Sequence, residues 1–131
     1  MADSIADMLI RIRNAQMVKK RSVVVPHSDI VHEVLRVLKE TGFVQEAVKR
    51  GRRNRRVLDV ALLYDAGGSG HMRGARRVSK QSKRVYARAC DLRPSKKSAK
   101  GIFIVSTSSG IMSSSNAHKS KVGGEVLCEI W

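Results

Sequence analysis

Two short segments near the carboxyl end carry the residue types best suited to binding chemistry. Ser106-Thr107-Ser108-Ser109-Gly110-Ile111-Met112 reads as a compact hydroxyl-and-glycine turn, and Val122-Gly123-Gly124-Glu125-Val126-Leu127-Cys128 opens on a tight glycine turn. Small hydroxyl side chains leave backbone N–H groups accessible, glycine admits positive φ, and hydroxyls both donate and accept, as phosphates and ribose 2′-OH groups require. Glu125 is an acid set in a basic half of the chain. Its carboxylate either pairs with a neighbouring arginine or base amino group, or is simply an exposed strand residue. Tyr86 lies among cations in Lys83-Arg84-Val85-Tyr86-Ala87-Arg88, where a ring either stacks on bases or half-buries in a strand.

Catalysis finds little support in the same residues. A nucleophilic serine needs a base and an orienting acid, and this half offers only Asp91, Glu125 and Glu129 as acids with His71 and His118 as bases. The Gly-x-Ser-x-Gly pattern is absent. Two cysteines, Cys90 and Cys128, are too few for a disulfide framework, and the four histidines, His27, His32, His71 and His118, form no local cluster with them. No catalytic residue, metal or cofactor is expected. The sequence has no apolar run near the roughly 18 residues of a membrane span and no secretory pattern at its start, which favours the cytosol or an organelle interior and no membrane partner.

Charge identifies the kind of partner. The 131-residue chain carries a net charge of +15, and its distribution is uneven. Lys49 to Lys100 holds 17 Lys and Arg against three acids, Asp59, Asp65 and Asp91, whereas the rest holds nine basic against eight acidic side chains. Crowding one sign of charge costs self-repulsion that a polyanion would relieve. Six of the eight residues in Lys49-Arg50-Gly51-Arg52-Arg53-Asn54-Arg55-Arg56 are basic, so Arg52, Arg53 and Arg55 form a cationic prong suited to auxiliary phosphate contacts. Arg76 and Arg77 offer the same further along. With 42% apolar and only 4% aromatic residues, the core must be built from Val, Ile, Leu and Met.

The elements that would hold these residues follow from periodicity. Ser4 stands as an N-cap before Ile5, Met8, Leu9 and Ile12, which recur at helical spacing and predict a helix over residues 5–17, with Asp7, Arg13 and Asn14 on its polar side. Ser22-Val23-Val24-Val25 reads as a strand ended by Pro26, and Ser28 caps a second helix that Gly42 terminates. Strands over 43–48 and 57–64 flank the prong as a hairpin. Residues 65–74, with four glycines and little that can pack, read as a linker; no Gly-Lys-Ser/Thr ending marks a nucleotide-binding loop. Beyond it come strand-like pieces at Arg76–Lys80 and Lys83–Arg88, an apolar strand at 101–105, the serine turn, a brief helix through His118 and a closing strand over 125–131. The expectation is an α+β protein: an α-β-α-β-β lobe over 1–64, a glycine-rich linker over 65–74 and a mainly β lobe with one short helix over 75–131.

Three stretches together resemble small-subunit ribosomal protein eight of the bacterial type. They are Ile5-Ala6-Asp7-Met8-Leu9-Ile10-Arg11-Ile12-Arg13-Asn14-Ala15-Gln16, then Arg77-Val78-Ser79-Lys80 with Arg84-Val85-Tyr86, and finally Ser106 through Met112 with Val122 to Trp131. The resemblance implies a two-lobed protein that binds the central domain of small-subunit rRNA early in assembly and stays in the ribosome beside other ribosomal proteins. It places the principal RNA surface on Ser106, Thr107, Ser108, Gly110, Gly123, Gly124 and Glu125, with Lys80, Arg84 and Tyr86 nearby and a second contact at Asp7, Arg13 and Asn14. Some members also repress their own messenger RNA. The chain departs from the family pattern at Ser109, often lysine, at Gln81-Ser82, where Pro-Gly is common, at Ser113-Ser114-Ser115 and in the loose 65–74 segment. Such departures suit a divergent lineage, or a mitochondrial or plastid ribosome in place of the bacterial cytoplasmic one.

Overall fold

The computed structural model describes residues 3–131. The order is α1 (Ser4–Met17), β1 (Ser22–Pro26), α2 (Asp29–Glu40), β2 (Val44–Arg50), β3 (Val57–Leu62), β4 (Ala75–Arg77), β5 (Tyr86–Ala87), a 3-10 turn (Ala89–Asp91), β6 (Ile102–Thr107), β7 (Gly110–Ser113), α3 (Ser114–Lys119) and β8 (Gly124–Ile130). The α+β class is as expected, with helices concentrated in the first part and strands in the second. Two compact units result, Met1–Arg73 and Gly74–Trp131.

In the first unit, α1 begins one residue earlier than expected because Asp3, not Ser4, is the N-cap. Its Oδ1 accepts from the Ala6 N–H at 3.1 Å, satisfying a donor the helix leaves open. Ile5, Met8, Leu9, Ile12 and Ala15 form the buried stripe. The Ser28 Oγ caps α2 by accepting from the Val31 N–H, and Gly42, at φ +86°, ends it while the Phe43 N–H donates to the Leu38 carbonyl. Both helices supply a core completed by an antiparallel sheet of order β1-β3-β2, whose Val25, Leu58 and Val60 are fully buried. β2 runs through Lys49 and Arg50, so the turn between β2 and β3 is shorter than the basic run suggested.

The glycine-rich stretch does not run free. The amide of Gln16 donates to the Met72 carbonyl (2.8 Å) and accepts from the Met72 N–H (3.3 Å), and Met72 is buried. Asp65 orders the remainder: its Oδ1 accepts from the Gly67 and Ser69 N–H groups at 2.9 Å, and its Oδ2 from Arg73 at 2.9 Å. A polar side chain on α1 thus fixes backbone that the apolar pattern gave no reason to pack.

The second unit is one antiparallel sheet, β4-β8-β6-β7, with β5 also pairing to β8. Its core is Leu92, Val105, Ala117 and Val126, with Phe103, Met112 and Val122 packed around it. α3 is capped by Ser113, whose Oγ accepts from the Asn116 N–H. The His118 Nδ1 lies 2.9 Å from the Ala89 carbonyl and ties α3 to the 3-10 turn.

Candidate nucleic-acid interface

Strand register brings together residues far apart in sequence. Glu125 on β8 pairs with Tyr86 on β5 at one side and with Ser106 on β6 at the other, and Ser106 pairs in turn with Ile111 on β7. Because directly paired residues in an antiparallel sheet share a face, Tyr86, Glu125 and Ser106 form one transverse row. Tyr86 is 70% exposed. The next row is Ala87, Gly124, Thr107 and Gly110, which points the opposite way.

Glu125 is anchored rather than loose. The Ser79 hydroxyl donates to its Oε2 at 2.5 Å, and Arg84 Nη1 donates to the same oxygen at 3.0 Å. Ser79, fully buried, also accepts from the Val85 N–H at 3.1 Å. Burial pushes the Glu125 carboxyl up, but the Ser79 hydroxyl and the Arg84 guanidinium, with Arg77 adding to them, outweigh it and hold the group below the ordinary carboxylate range. The acid therefore stays ionised and fixes Arg84 beside Tyr86. Lys80 and Lys83 close a tight turn by exchanging backbone hydrogen bonds at 2.9 and 3.0 Å, with Gln81 and Ser82 at its tip, so the turn forms without Pro-Gly.

The serine segment is not a five-residue turn. Ser106 and Thr107 belong to β6, Gly110 begins β7, and only Ser108 and Ser109 lie between. The Thr107 hydroxyl donates to the Gly110 carbonyl at 2.7 Å and accepts from the Ser109 N–H at 3.1 Å. It spends its donor inside the turn and shapes it. Ser108, Ser109 and Gly110 are exposed, and Gly110 has φ +112°.

Gly123 and Gly124 differ from the expected tight glycine turn, since positive φ falls on Lys121 instead. Their requirement is space. A Cβ on Gly124 would lie 2.0 Å from the Ser106 carbonyl oxygen, and one on Gly123 would lie 2.5 Å from the Ala87 carbonyl oxygen. The absence of side chains lets β5, β8 and β6 approach closely enough to assemble the row.

The other expected contacts are dispersed. On α1, Asp7 pairs with Arg11 at 2.9 Å, and Asn14 lies on the same stripe. Arg13 is turned about 120° away from Asp7 around the helix. Arg52, Arg53 and Arg55 sit at the exposed β2–β3 tip and have no carboxylate partner among the described residues. Arg76 is engaged on the buried Glu129, donating from Nη2 to Oε1 at 3.0 Å, and Arg77 Nη1 donates to the Leu127 carbonyl. Both are thus anchored on β8, and the Arg76 side chain remains 54% exposed. Ser79 was not picked out from the sequence; its signal is a small hydroxyl just before a tight turn of basic residues.

Fold and surface define a class: a two-unit α+β protein with a cationic, sheet-borne polar surface and no metal-binding cluster among the described residues. The chain belongs to the ribosomal protein S8 family, whose model matches residues 3–131. It is 43% identical over 131 residues to the small ribosomal subunit protein uS8 of Brevibacillus brevis, covering 100% of this chain and 98% of that one. The uS8 proteins of Thiobacillus denitrificans (44% over 128 residues, 98% and 96% covered) and Rubrobacter xylanophilus (41% over 129 residues, 98% and 97%) are similar to it over the same extent.

Proposed function

We propose that this protein, a structural and non-catalytic constituent of the small ribosomal subunit, binds small-subunit rRNA through the Tyr86–Glu125–Ser106 row and the Ser108–Gly110 tip of its second unit. The observation that carries this reading is the row itself: an exposed ring, an arginine held in place by an ionised acid, and a strand serine lie side by side. Such a surface suits RNA, which is recognised by stacking, by 2′-OH contacts and by backbone shape more than by groove-reading of bases. Tyr86 offers a stacking face, Ser106 and Ser108 offer hydroxyls, and Lys80 and Arg84 meet phosphates. Gly110, Gly123 and Gly124 keep backbone close to the ligand or to neighbouring strands. Arg52, Arg53 and Arg55, with Asp7, Arg13 and Asn14 on α1, supply further contacts.

The rRNA region bound is the central domain, with neighbouring ribosomal proteins as further partners in the cytoplasmic ribosome. The same surface would accept a messenger segment of the same shape, including the protein's own. Co-sedimentation tests the reading: the tagged protein is expected to stay with small subunits through a high-salt wash. Recovery only at the top of the gradient would sink it and favour a free-standing RNA chaperone.

A further inference from the structure

Between the carboxyl end of α1 and the 65–73 segment lies an open cavity of about 360 Å³. Arg13, Lys19, Ser69 and Arg73 line it, with the backbone of Gly68 and Gly70. Arg73 is neutralised by Asp65. Arg13 and Lys19 have no carboxylate partner among the described residues, and no acid lines the cavity.

Lys19 occupies an unusual place. It has φ +58°, the left-handed region that costs a side-chain-bearing residue roughly 1–2 kcal/mol and where glycine commonly ends a helix. Across the cavity, Gly68, at φ +85°, makes room for it: a Cβ there would lie 2.8 Å from the Lys19 Nζ. The Asp65 carboxylate holds the facing loop through the Gly67 and Ser69 N–H groups. A strained lysine thus lays its ammonium against the prearranged glycine loop at Gly68, in a cavity that Arg13 and Ser69 also line.

We propose that this cavity is a phosphate-binding site in which Lys19, Arg13 and the Ser69 hydroxyl hold a single phosphate group. The ammonium supplies a point charge, the guanidinium a forked pair of donors, and the hydroxyl a further hydrogen bond. The phosphate comes either from an RNA backbone or from free phosphate; the first source rests on the RNA-binding reading above, the second does not.

Lys19→Gly tests this directly, because glycine relieves the strain while removing the charge, and a Lys19 with only a structural role would give a protein at least as stable and otherwise unchanged. Two measurements on the full chain distinguish the sources. In the first, small-subunit rRNA binding is titrated against salt; loss of one phosphate contact lowers the slope by about 0.9. In the second, inorganic phosphate is titrated while the backbone amide resonances of residues 68–70 are followed. A lower slope in Lys19→Gly with an undiminished melting temperature assigns the site to an RNA phosphate. Saturable shifts in the parent chain that vanish in Lys19→Gly, with the slope unchanged, assign it to free phosphate. An unchanged slope together with no Lys19-dependent shifts overturns the proposal. If the parent chain fails to bind rRNA at all, the RNA reading falls, and the phosphate titration still decides the site.

Discussion

Glu125 and Glu129 stand on one strand, and each accepts from a serine and an arginine: Ser79 with Arg84, and Ser95 with Arg76. In both, burial pushes the carboxyl up and the hydroxyl and guanidinium more than offset it, so the native groups titrate below the ordinary range. A depressed native value means the unfolded chain binds more protons, so stability is present above the ordinary carboxylate range and is lost as pH falls through the depressed native values. Urea midpoints taken from neutral to acid pH are expected to fall less steeply in the Glu125→Gln, Glu129→Gln double variant; an unaltered slope would contradict this. The two acids part company in binding. Glu125→Gln is expected to loosen Arg84 and lower discrimination between small-subunit rRNA and random structured RNA, while Glu129→Gln leaves discrimination alone and lowers stability by about 1–3 kcal/mol, because the amide keeps one acceptor oxygen and no charge for Ser95 and Arg76. Equal losses of affinity for both RNAs in Glu125→Gln would count against an orienting role.

Among the elements, glycines of the same segment type serve opposite ends. Gly124→Ala drives a Cβ into the Ser106 carbonyl and must part β8 from β6, for an expected loss of about 3 kcal/mol. Gly110→Ala meets open space and is strained only by its φ, for an expected loss of about 1–2 kcal/mol. Thermal or chemical melts that rank the two the other way would refute the division between packing and turn geometry. The helices were legible in sequence because their apolar spacing is local: Ile5, Met8, Leu9 and Ile12 mark α1 without reference to anything distant. The short strands of the second unit were legible only in outline, since β5 has two residues and owes its existence to β8. The transverse row depends on pairing Tyr86, Ser106 and Glu125 across long loops, and nothing local states that register. The burial of Met72 was hidden for a related reason: a single polar side chain, Gln16, holds it, and no periodic pattern records such a contact.

At the scale of the whole molecule, one sign of charge is concentrated in the middle of the chain, and most of those side chains have no carboxylate partner among the described residues. The net charge of +15 draws the protein to any polyanion, which gives attraction without selection. In the function proposed above, selection falls to the row and tip of the second unit and attraction to the prongs. Arg52→Ala with Arg53→Ala is expected to reduce the salt slope of RNA binding by up to about 2 units while leaving discrimination between RNAs intact. Recognition of one shape within small-subunit rRNA is read out by footprinting the purified protein on protein-free small-subunit rRNA at physiological salt. Protection confined to one helical region of the central domain, lost in Tyr86→Ala and retained in Arg52→Ala, is the expected result. Diffuse protection along the RNA, or the same footprint in Tyr86→Ala, would contradict it.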